Sequence, residues 1–382
     1  MLIILYVLCI QSTLFTVTAT NTANNFITCL QNERDALLQF KSTIIDPNKN
    51  LASWSSGNCC NWRGIRCHNI TRHVSRINLR NSSLQGEINP SLLTLQHLIH
   101  LDLSFNFFNF KPIPQFIGSI KSLRYLNLSN AGFSGEVPSS LGNLSSLHVL
   151  DLSNLYLSLS SDYVLHVSDS QWLSQLTALQ NLKMTGVNFT YASSWLQDLN
   201  SLPHIKILGL RYCRLQTIPL VLPHVNFTYL NFLDLSYNRI NSTIPAWLFK
   251  ITSLEYLDLS WNFKFHGLVP PDIRNLTYLN VLVLSYNSID MSLALSQLGN
   301  LRNLQYLYSD YVRKLINCPF HELGGNFSEL ATTLQLLSLR HSKLTGSLPR
   351  WIGNFTNLQF LYVSANSLSG EIPSSLGQLS GL

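Results

Sequence analysis

Apolar residues recur along the chain in a fixed pattern from residue 74 onward. Positions one, four and six of each segment are apolar, as in LHVLDLSN, LNFLDLSYN and LEYLDLSWN. This alternation is typical of a strand that buries one face and exposes the other. Most segments begin 24 to 26 residues after the previous one, and two intervals are longer, at 32 and 30 residues. The twelve segments begin at Val74, Leu98, Leu123, Leu147, Leu179, Ile205, Leu230, Leu254, Leu279, Leu304, Leu334 and Leu358.

Such regular spacing predicts about twelve stacked repeats over residues 74–382. Each repeat is too small to bury its apolar side alone, so the strands must stack into one parallel sheet along a solenoid. We expect an asparagine at the ninth position of several repeats to bond the backbone of adjacent coils. These asparagines are Asn106, Asn238, Asn262, Asn287 and Asn366. Cys213 takes the ninth position in the sixth repeat, which predicts a buried, unpaired thiol.

Two segments interrupt the period, near 155–178 and 308–330. The second contains Ser309 at an expected leucine position, and Cys318 without an obvious partner. Extra residues in a solenoid form loops on one face, which often carry recognition. Tolerated surface insertions explain the two segments equally well.

Residues 29–73 precede the repeats and predict an end cap, because the first coil would otherwise expose its apolar cross-section. We expect a short amphipathic helix over 35–44, ended by Pro47. Trp54 and Trp62 are interpreted as covers over the first coil. The apolar side of the helix is expected to hold Leu37, Leu38, Phe40 and Ile44.

The stretch CCNWRGIRC at 59–67 fits a metal site, a redox pair or a disulfide-tied cap. The apolar run from 2 to 15, followed by small residues, resembles a secretory signal over 1–20, which favours disulfides. The four candidate zinc ligands lack the paired CxxC spacing of structural zinc sites. They are Cys59, Cys60, Cys67 and His68.

Charge and composition restrict the partners of the chain. The formal net charge is +6, with 12% charged residues and no dense lysine and arginine run. Nucleic acid is therefore not an expected partner, whereas weak attraction to an acidic polysaccharide or protein is allowed. No run of about 18 apolar residues follows the signal region, so direct membrane insertion by this chain is not expected.

Motifs for catalysis are missing from the sequence. The string HELGG at 321 lacks the second histidine of a zinc protease helix, and no phosphate-binding or nucleophile motif occurs. We therefore expect a protein that is not an enzyme and that has no cofactor.

The eighth position of the repeats carries aromatic residues in five consecutive repeats, which we call the aromatic stripe. Its members are Tyr212, Tyr237, Trp261, Tyr286 and Tyr311. Neighbouring strands would place them about 4.8 Å apart on the exposed side of the sheet. Residues at the third and fifth positions are expected beside them: Tyr256, Tyr306, Asp234 and Asp258. The stripe predicts a protein or peptide interface, and rings that only pack on one another remain the alternative.

Asparagine-linked glycosylation is the expected modification. Ten N-x-[ST] sequons occur, at Asn69, Asn81, Asn127, Asn143, Asn188, Asn226, Asn241, Asn275, Asn326 and Asn354. Four of them recur near the ends of their repeats, which predicts glycans away from the sheet.

The repeat, with its following LxGxIPxxLGNL segment as in FSGEVPSSLGNLSS, resembles the plant extracellular type of leucine-rich repeat. The resemblance implies a right-handed α/β horseshoe with a parallel sheet on the concave face and a second short strand beside it. The segment at 29–73 resembles the disulfide-tied N-terminal cap of this family. Carried over, the cap pairing joins Cys29 with Cys59 and Cys60 with Cys67.

Residues 179–270, with FLDLSYNRINSTIPAWLFKITSLEYLDLSWN, resemble plant receptor-like proteins of the ethylene-inducing-xylanase receptor and apple scab resistance type. The resemblance implies a cell-surface defence receptor with an extracellular protein or peptide ligand and a receptor kinase coreceptor. Such proteins also carry an island region, a C-terminal cap and a membrane helix, which this sequence lacks. The alternatives are a secreted inhibitor resembling those of pathogen polygalacturonases, and a truncated, inactive receptor fragment ending at Leu382.

Overall fold

The computed structural model describes residues 29–55, 57–154, 164–291, 298–312 and 330–382. Thirteen strands in these residues form one sheet, with equivalent repeat positions in register, as Leu233 is with Leu257. All neighbouring strands are parallel except the first pair, at the cap. This confirms the predicted sheet. Its strands are Ile65–Cys67, Val74–Asn78, His100–Asp102, Tyr125–Asn127, Val149–Asp151, Asn181–Lys183, Ile207–Gly209, Phe232–Asp234, Tyr256–Asp258, Val281–Val283, Tyr306–Tyr308, Leu336–Ser338 and Phe360–Tyr362.

The side of each coil opposite the sheet is formed mainly by short 3-10 segments, most of them preceded by or beginning at proline. In the repeats they are Pro90–Thr94, Gln115–Ser119, Ser139–Asn143, Gln171–Gln175, Ala246–Lys250, Pro271–Asn275, Leu298–Asn300, Arg350–Asn354 and Ser374–Gln378, and the cap contains another at Cys59–Asn61. An α-helix at Trp195–Asn200 takes this place in repeat 5. Proline suits the start of a helical turn because its missing N–H has no intrahelical partner there.

Short strands pair beside the main sheet, as the family resemblance implied. Three pairs are parallel: Gly135–Glu136 with Leu165–His166, His266–Leu268 with Ser288–Asp290, and Thr345–Gly346 with Ser367–Leu368. A fourth, antiparallel pair joins Ile44–Ile45 of the cap to Gln85–Gly86 of repeat 1.

The core is a continuous stack of the periodic leucines. Leu254, Leu257 and Leu259, at positions one, four and six of repeat 8, are fully buried. Ser309 takes the sixth position in repeat 10 and is equally buried, but its hydroxyl has no hydrogen-bond partner in the described part of the chain.

The ninth-position asparagines form the predicted ladder in the core. The Asn238 amide donates to the carbonyl oxygens of Leu210 and Leu235, both at 2.9 Å, and accepts from the Cys213 N–H at 2.9 Å. Cys213 is a fully buried, unpaired thiol whose Sγ donates to the Met184 carbonyl at 3.1 Å, as predicted. Each ladder asparagine ties its coil to the preceding one through backbone groups that would otherwise be buried without partners.

The cap helix spans Gln31–Ser42 rather than the predicted 35–44. It starts earlier because the buried carboxylate of Glu33 accepts a hydrogen bond from the Val74 N–H at 2.7 Å and contacts His73 Nδ1 at 2.8 Å. A charged residue in the first turn therefore faces inward, where the apolar pattern did not predict it. The helix ends before Ile44 because that residue pairs with Gly86 in a strand, so Pro47 does not end it.

Two disulfides hold the cap together. Cys29 bonds Cys59 and Cys60 bonds Cys67, which confirms the pairing implied by the family. The sulfurs of the last three lie within 4.8 Å of one another, but each is used in a disulfide, so no thiolate is left to bind a metal. The rings of Trp54 and Trp62 are buried and stacked with centroids 5.6 Å apart, and they belong to the same apolar cluster as Val74 and Ile77 of the first coil.

Several predictions fall outside the described residues. These are the signal over 1–20, residues 155–163 of the first insertion, and residues 313–329 of the second, which include Cys318 and Asn326. The remainder of the first insertion rejoins the solenoid through Leu165–His166 and Gln171–Gln175. No helix among the described residues combines the length and apolar character that crossing a membrane requires.

Candidate ligand-binding edge of the sheet

In eleven of the twelve repeats the eighth position lies in a left-handed turn, three residues beyond the end of the strand. Tyr237, for example, follows the strand Phe232–Asp234 and has φ of 55°. The sequence placed the aromatic stripe on the strands themselves, so its position is corrected to the edge of the sheet. The turns are held together by backbone bonds between coils, such as Tyr237 N–H to the Ser260 carbonyl at 2.9 Å.

The aromatic side chains at this edge form a continuous ring stack. Neighbouring centroids from Tyr237 to His341 lie 3.9 to 4.9 Å apart, with interplanar angles of 12 to 18°. Tyr212 extends the row at 6.3 Å with a tilt of 35°. We call this row the edge stack: Tyr212, Tyr237, Trp261, Tyr286, Tyr311 and His341. The sequence missed His341 as a member, although the residue occupies the same repeat position.

Stacking offsets the backbone strain of the turns. A non-glycine residue in the left-handed region costs on the order of 1 kcal/mol, and every described member of the edge stack has φ between 52 and 59°. An aromatic pair recovers about 0.5–1.5 kcal/mol beyond its buried area. Gly186, which adopts this conformation without steric cost, occupies the same position in repeat 5, directly before the row begins.

Close stacking determines what the edge stack offers to a ligand. Because neighbouring rings cover each other's faces, mainly the ring edges and polar tips face solvent. Tyr212 is 38% exposed and Tyr311 is 41% exposed. Desolvation and the neighbouring Tyr311 raise the pKa of Tyr286, so its hydroxyl stays protonated at any physiological pH. The surface is a row of apolar edges with hydrogen-bonding tips, which suits an extended polypeptide.

A cavity of about 380 Å³ opens beside the C-terminal half of the edge stack. Its walls include Phe263, Tyr286, Ser288, Tyr311, His341 and Lys343. Phe263 is 60% exposed and meets the Trp261 ring edge to face at 5.5 Å. The cavity is large enough for one bulky side chain of a bound segment.

The third-position aromatic residues form a separate row on the sheet. The rings of Phe232 and Tyr256 stack at 4.3 Å and 10°. Val281 occupies the next strand, so Tyr306 does not continue this pair and instead donates a hydrogen bond to Gln335 Oε1 at 2.9 Å. Tyr256 and Tyr306 therefore lie outside the edge stack, whereas the five members of the predicted stripe are brought together.

The two predicted acidic residues are committed to local hydrogen bonds. Asp234 accepts from the hydroxyl of Ser236 at 2.6 Å. Asp258 accepts from the Ser260 N–H at 2.8 Å and is only 6% exposed. Burial raises the pKa of Asp258, although the bond from Ser260 lowers it. Asp258 is therefore a turn-forming residue with little surface for a ligand, contrary to its predicted place in the binding site.

The sequons differ in exposure. Asn127 is buried, with its Oδ1 accepting from the Ser129 hydroxyl at 2.7 Å, so we withdraw it as a glycosylation site. Asn188 is half-buried and bonds the Thr190 N–H at 2.9 Å. The remaining described sequons are exposed, and they stay predicted sites: Asn69, Asn81, Asn143, Asn226, Asn241, Asn275 and Asn354. Three of these end 3-10 segments on the side opposite the sheet.

Family models match most of the chain. A leucine rich repeat N-terminal domain matches residues 30–68, and a leucine-rich repeat region matches residues 158–332. Single leucine rich repeats match residues 122–144, 333–355 and 357–379. These matches coincide with the cap and the repeats of the structure.

The chain is similar to two receptor-like proteins of Solanum lycopersicum. It is 34% identical to receptor-like protein EIX2 over 90% of this chain and 34% of that protein. It is 35% identical to receptor-like protein EIX1 over 66% of this chain and 26% of that protein. The chain thus spans about a quarter to a third of the length of these relatives.

The ectodomain of the Arabidopsis receptor kinase HAESA, solved with the peptide hormone IDA and the co-receptor SERK1, has the same fold. It superposes with a TM-score of 0.65 at 23% identity, covering 92% of this chain and 65% of that chain. Together with the cap disulfides, the asparagine ladder and the family matches, this places the chain among the leucine-rich-repeat proteins, and its homologues are the plant receptor-like proteins.

Proposed function

We infer that this chain is the ligand-recognising, extracellular part of a plant cell-surface receptor, and that the edge stack is where it contacts a peptide or protein segment. The observation that carries the proposal is the run of stacked rings across six coils, with polar tips on one exposed edge. Rigid aromatic side chains bury a large area on binding and lose little conformational entropy, which is why interfaces favour them.

The relatives support this proposal. The homologous proteins are plant receptor-like proteins, and the HAESA ectodomain was solved with a peptide hormone bound. An extended peptide can follow the edge stack, because six coils about 4.8 Å apart span roughly 24 Å, a length that about seven extended residues cover. The adjoining cavity at Phe263 and Lys343 then takes one larger side chain.

Signalling in this proposal depends on other proteins. The chain itself performs no catalysis and uses no cofactor, so it acts by binding, in defence against a secreted product of a pathogen. A receptor kinase coreceptor supplies the enzymatic output when the longer receptor is anchored at the plasma membrane. The co-receptor in the HAESA complex supports such a division of labour.

A random library of twelve-residue peptides displayed on phage tests the proposal. The secreted 382-residue chain is expected to enrich a family of related peptides. The variant Tyr237→Ala/Trp261→Ala is expected to lose at least about tenfold in affinity for their synthetic forms, since two hot-spot aromatic residues contribute about 1–4 kcal/mol. Circular dichroism checks that this variant keeps its fold.

The matched control is Tyr229→Ala/Tyr278→Ala, which removes two more exposed aromatic rings, 58% and 63% exposed, outside the edge stack. Its affinity is expected to equal that of the unmodified chain. Equal loss in both variants, or no loss in either, would remove the edge stack as the binding surface. Failure to enrich any peptide would argue against peptide recognition altogether.

A further inference from the structure

Positive charge is concentrated where the edge stack begins. Residues 179–253, which form repeats 5 to 7, contain six lysine and arginine residues against two aspartates. The two aspartates are hydrogen-bonded to serine hydroxyls: Asp198 accepts from Ser170 and Ser194, and Asp234 accepts from Ser236. Within the described residues, no ion pair involves the cations of these repeats.

Three arginines surround the Tyr212 end of the edge stack. Arg214 and Arg239 occupy the tenth position of repeats 6 and 7, two residues after Tyr212 and Tyr237, and their coils touch through Arg239 N–H to the Leu215 carbonyl at 2.9 Å. On the strand side, the Arg211 guanidinium lies 4.2 Å from the centroid of the Tyr237 ring. Positive charge therefore flanks this end on both sides.

The guanidinium groups of Arg214 and Arg239, on neighbouring coils, carry like charges that repel unless an anion lies between them. Arg211 already interacts electrostatically with the buried Asp258, where it opposes the rise in pKa that burial causes. Arg239 is exposed and Arg214 is half-buried, and Tyr212 is tilted away from the stack and 38% exposed, so all are accessible to a ligand. Guanidinium groups match carboxylates in geometry and bind them in pairs of parallel hydrogen bonds.

We propose that the arginines of repeats 6 and 7 bind the carboxylates of an acidic peptide segment, whose remaining residues lie along the edge stack toward His341. This inference rests on the proposed function and adds both the ligand class and its direction. The acidic end lies over Arg211, Arg214 and Arg239, and the apolar portion lies over Trp261 and Tyr286.

A uronic-acid polysaccharide carries the same carboxylates, but the edge stack does not suit it. Sugar rings bind aromatic side chains face to face, whereas these faces are covered by neighbouring rings at 3.9 to 4.9 Å. Tyr212 and His341, at the two ends of the row, each keep one face without a neighbour from the row. The Tyr237 face away from Trp261 lies under the Arg211 guanidinium at 4.2 Å. An acidic peptide therefore fits the exposed edges better than a polysaccharide.

The test uses twelve-residue peptides selected from the random library on the 382-residue chain. We expect the recovered peptides to carry two or more aspartates or glutamates at one end. A synthetic peptide of this kind is expected to bind Arg214→Gln/Arg239→Gln at least about tenfold more weakly, with a shallower dependence of Kd on salt. Replacing the acidic residues of the peptide by glutamine is expected to weaken it by a similar factor on the unmodified chain.

The matched control is Lys250→Gln, which removes an exposed charge at the end of the 3-10 segment Ala246–Lys250 and is expected to leave Kd unchanged. Thermal melting of each variant confirms folding. Recovered peptides without an acidic end, or equal binding by the double arginine variant, would overturn the inference and leave the proposed function standing. Recovery of no peptides would overturn both.

A ten-unit oligogalacturonate serves as the competing probe. The inferred ligand class would change from an acidic peptide to a polysaccharide if two results came together: the chain binds the oligogalacturonate tightly, with binding lost in Arg214→Gln/Arg239→Gln, and the recovered peptides show no preference for acidic residues. No binding, or weak binding that is equal in the unmodified chain and the variant, agrees with the inference.

Discussion

The asparagine ladder makes a prediction in which the same substitution has different effects at two positions. Asn106 stands alone, because the ninth positions of the flanking repeats hold Ser82 and Ala131. Its amide donates to the carbonyls of Leu79 and Leu103, both at 2.8 Å, and accepts from the N–H groups of Ser82 and Leu84 at 3.1 and 2.9 Å. Asn106→Leu therefore leaves four buried backbone groups without their asparagine partner.

Asn262 lies in a run of three ladder asparagines, so its neighbours compensate. The carbonyl of Leu235 also accepts from Asn238, and that of Leu259 also accepts from Asn287, each at 2.9 Å. In Asn262→Leu the Ile240 N–H, which donates to Asn262 Oδ1 at 3.4 Å, loses its asparagine partner. The Ser260 carbonyl loses the 3.3 Å bond from Asn262 but still accepts from the Tyr237 N–H at 2.9 Å. An unsatisfied buried group costs about 1–3 kcal/mol and a lost bond about 1 kcal/mol. We expect losses of roughly 4 kcal/mol for Asn106→Leu and 2 kcal/mol for Asn262→Leu.

Hydrogen exchange measured by mass spectrometry separates the two effects, because repeat proteins open locally and a single unfolding free energy does not describe them. Protection should fall most in the first two repeats for Asn106→Leu and less in repeats 7 and 8 for Asn262→Leu. Asn303→Leu is the control, since its exposed amide donates only to the Thr277 carbonyl at 2.7 Å. Equal losses at the two ladder positions would refute the compensation by neighbouring amides.

Three further predictions concern buried polar groups. Ser309→Ala should leave the free energy of unfolding unchanged or raise it by up to about 1 kcal/mol, because the hydroxyl has no partner in the described residues. Ser342→Ala loses a 2.9 Å bond to the Ser309 carbonyl and should lower the free energy of unfolding by about 1 kcal/mol. Urea denaturation compares the two variants. Burial raises the pKa of the Cys213 thiol, so iodoacetamide at pH 8 should label Cys213 only after unfolding, as peptide mapping would detect. Desolvation, with Arg76 adding to it, lowers the pKa of His100 to about 4 from its ordinary 6.5. Since the unfolded chain takes up this proton at higher pH, stability should fall between pH 6.5 and 4, and His100→Phe should flatten that slope in Tm. An unchanged slope would contradict the assignment to His100.

The sequence predicted best what the repeat itself dictates. One repeat period accounts for the parallel sheet, the buried leucines, and Asn238 and Cys213 in the ladder. Every coil has the same apolar positions, and each buries them against its neighbours. The cap was predicted less well, since the inward carboxylate of Glu33 depends on a contact with Val74 that apolar periodicity does not encode.

The sequence predicted five aromatic residues of the candidate site but not where on the sheet they lie. The five aromatic residues do form one row, yet the left-handed φ values that put them on the edge are set by backbone bonds between coils. The burial of Asp258 was missed because a carboxylate reads as exposed from sequence, whereas here it accepts the Ser260 N–H within the turn. Local pattern identifies which face a strand residue takes but does not reveal how a turn reorients the next side chain.

The edge turns use the main chain in the same way whatever side chain they carry. Tyr212 and Tyr237 donate their N–H groups to Ser236 and Ser260 of the following coil, just as His341 donates to Ser364. A mutation at one of these sites therefore changes one exposed side chain and leaves the buried leucines of the coil unchanged. Ligand selectivity in such a protein can therefore change one coil at a time during evolution, while the buried leucines continue to determine the fold.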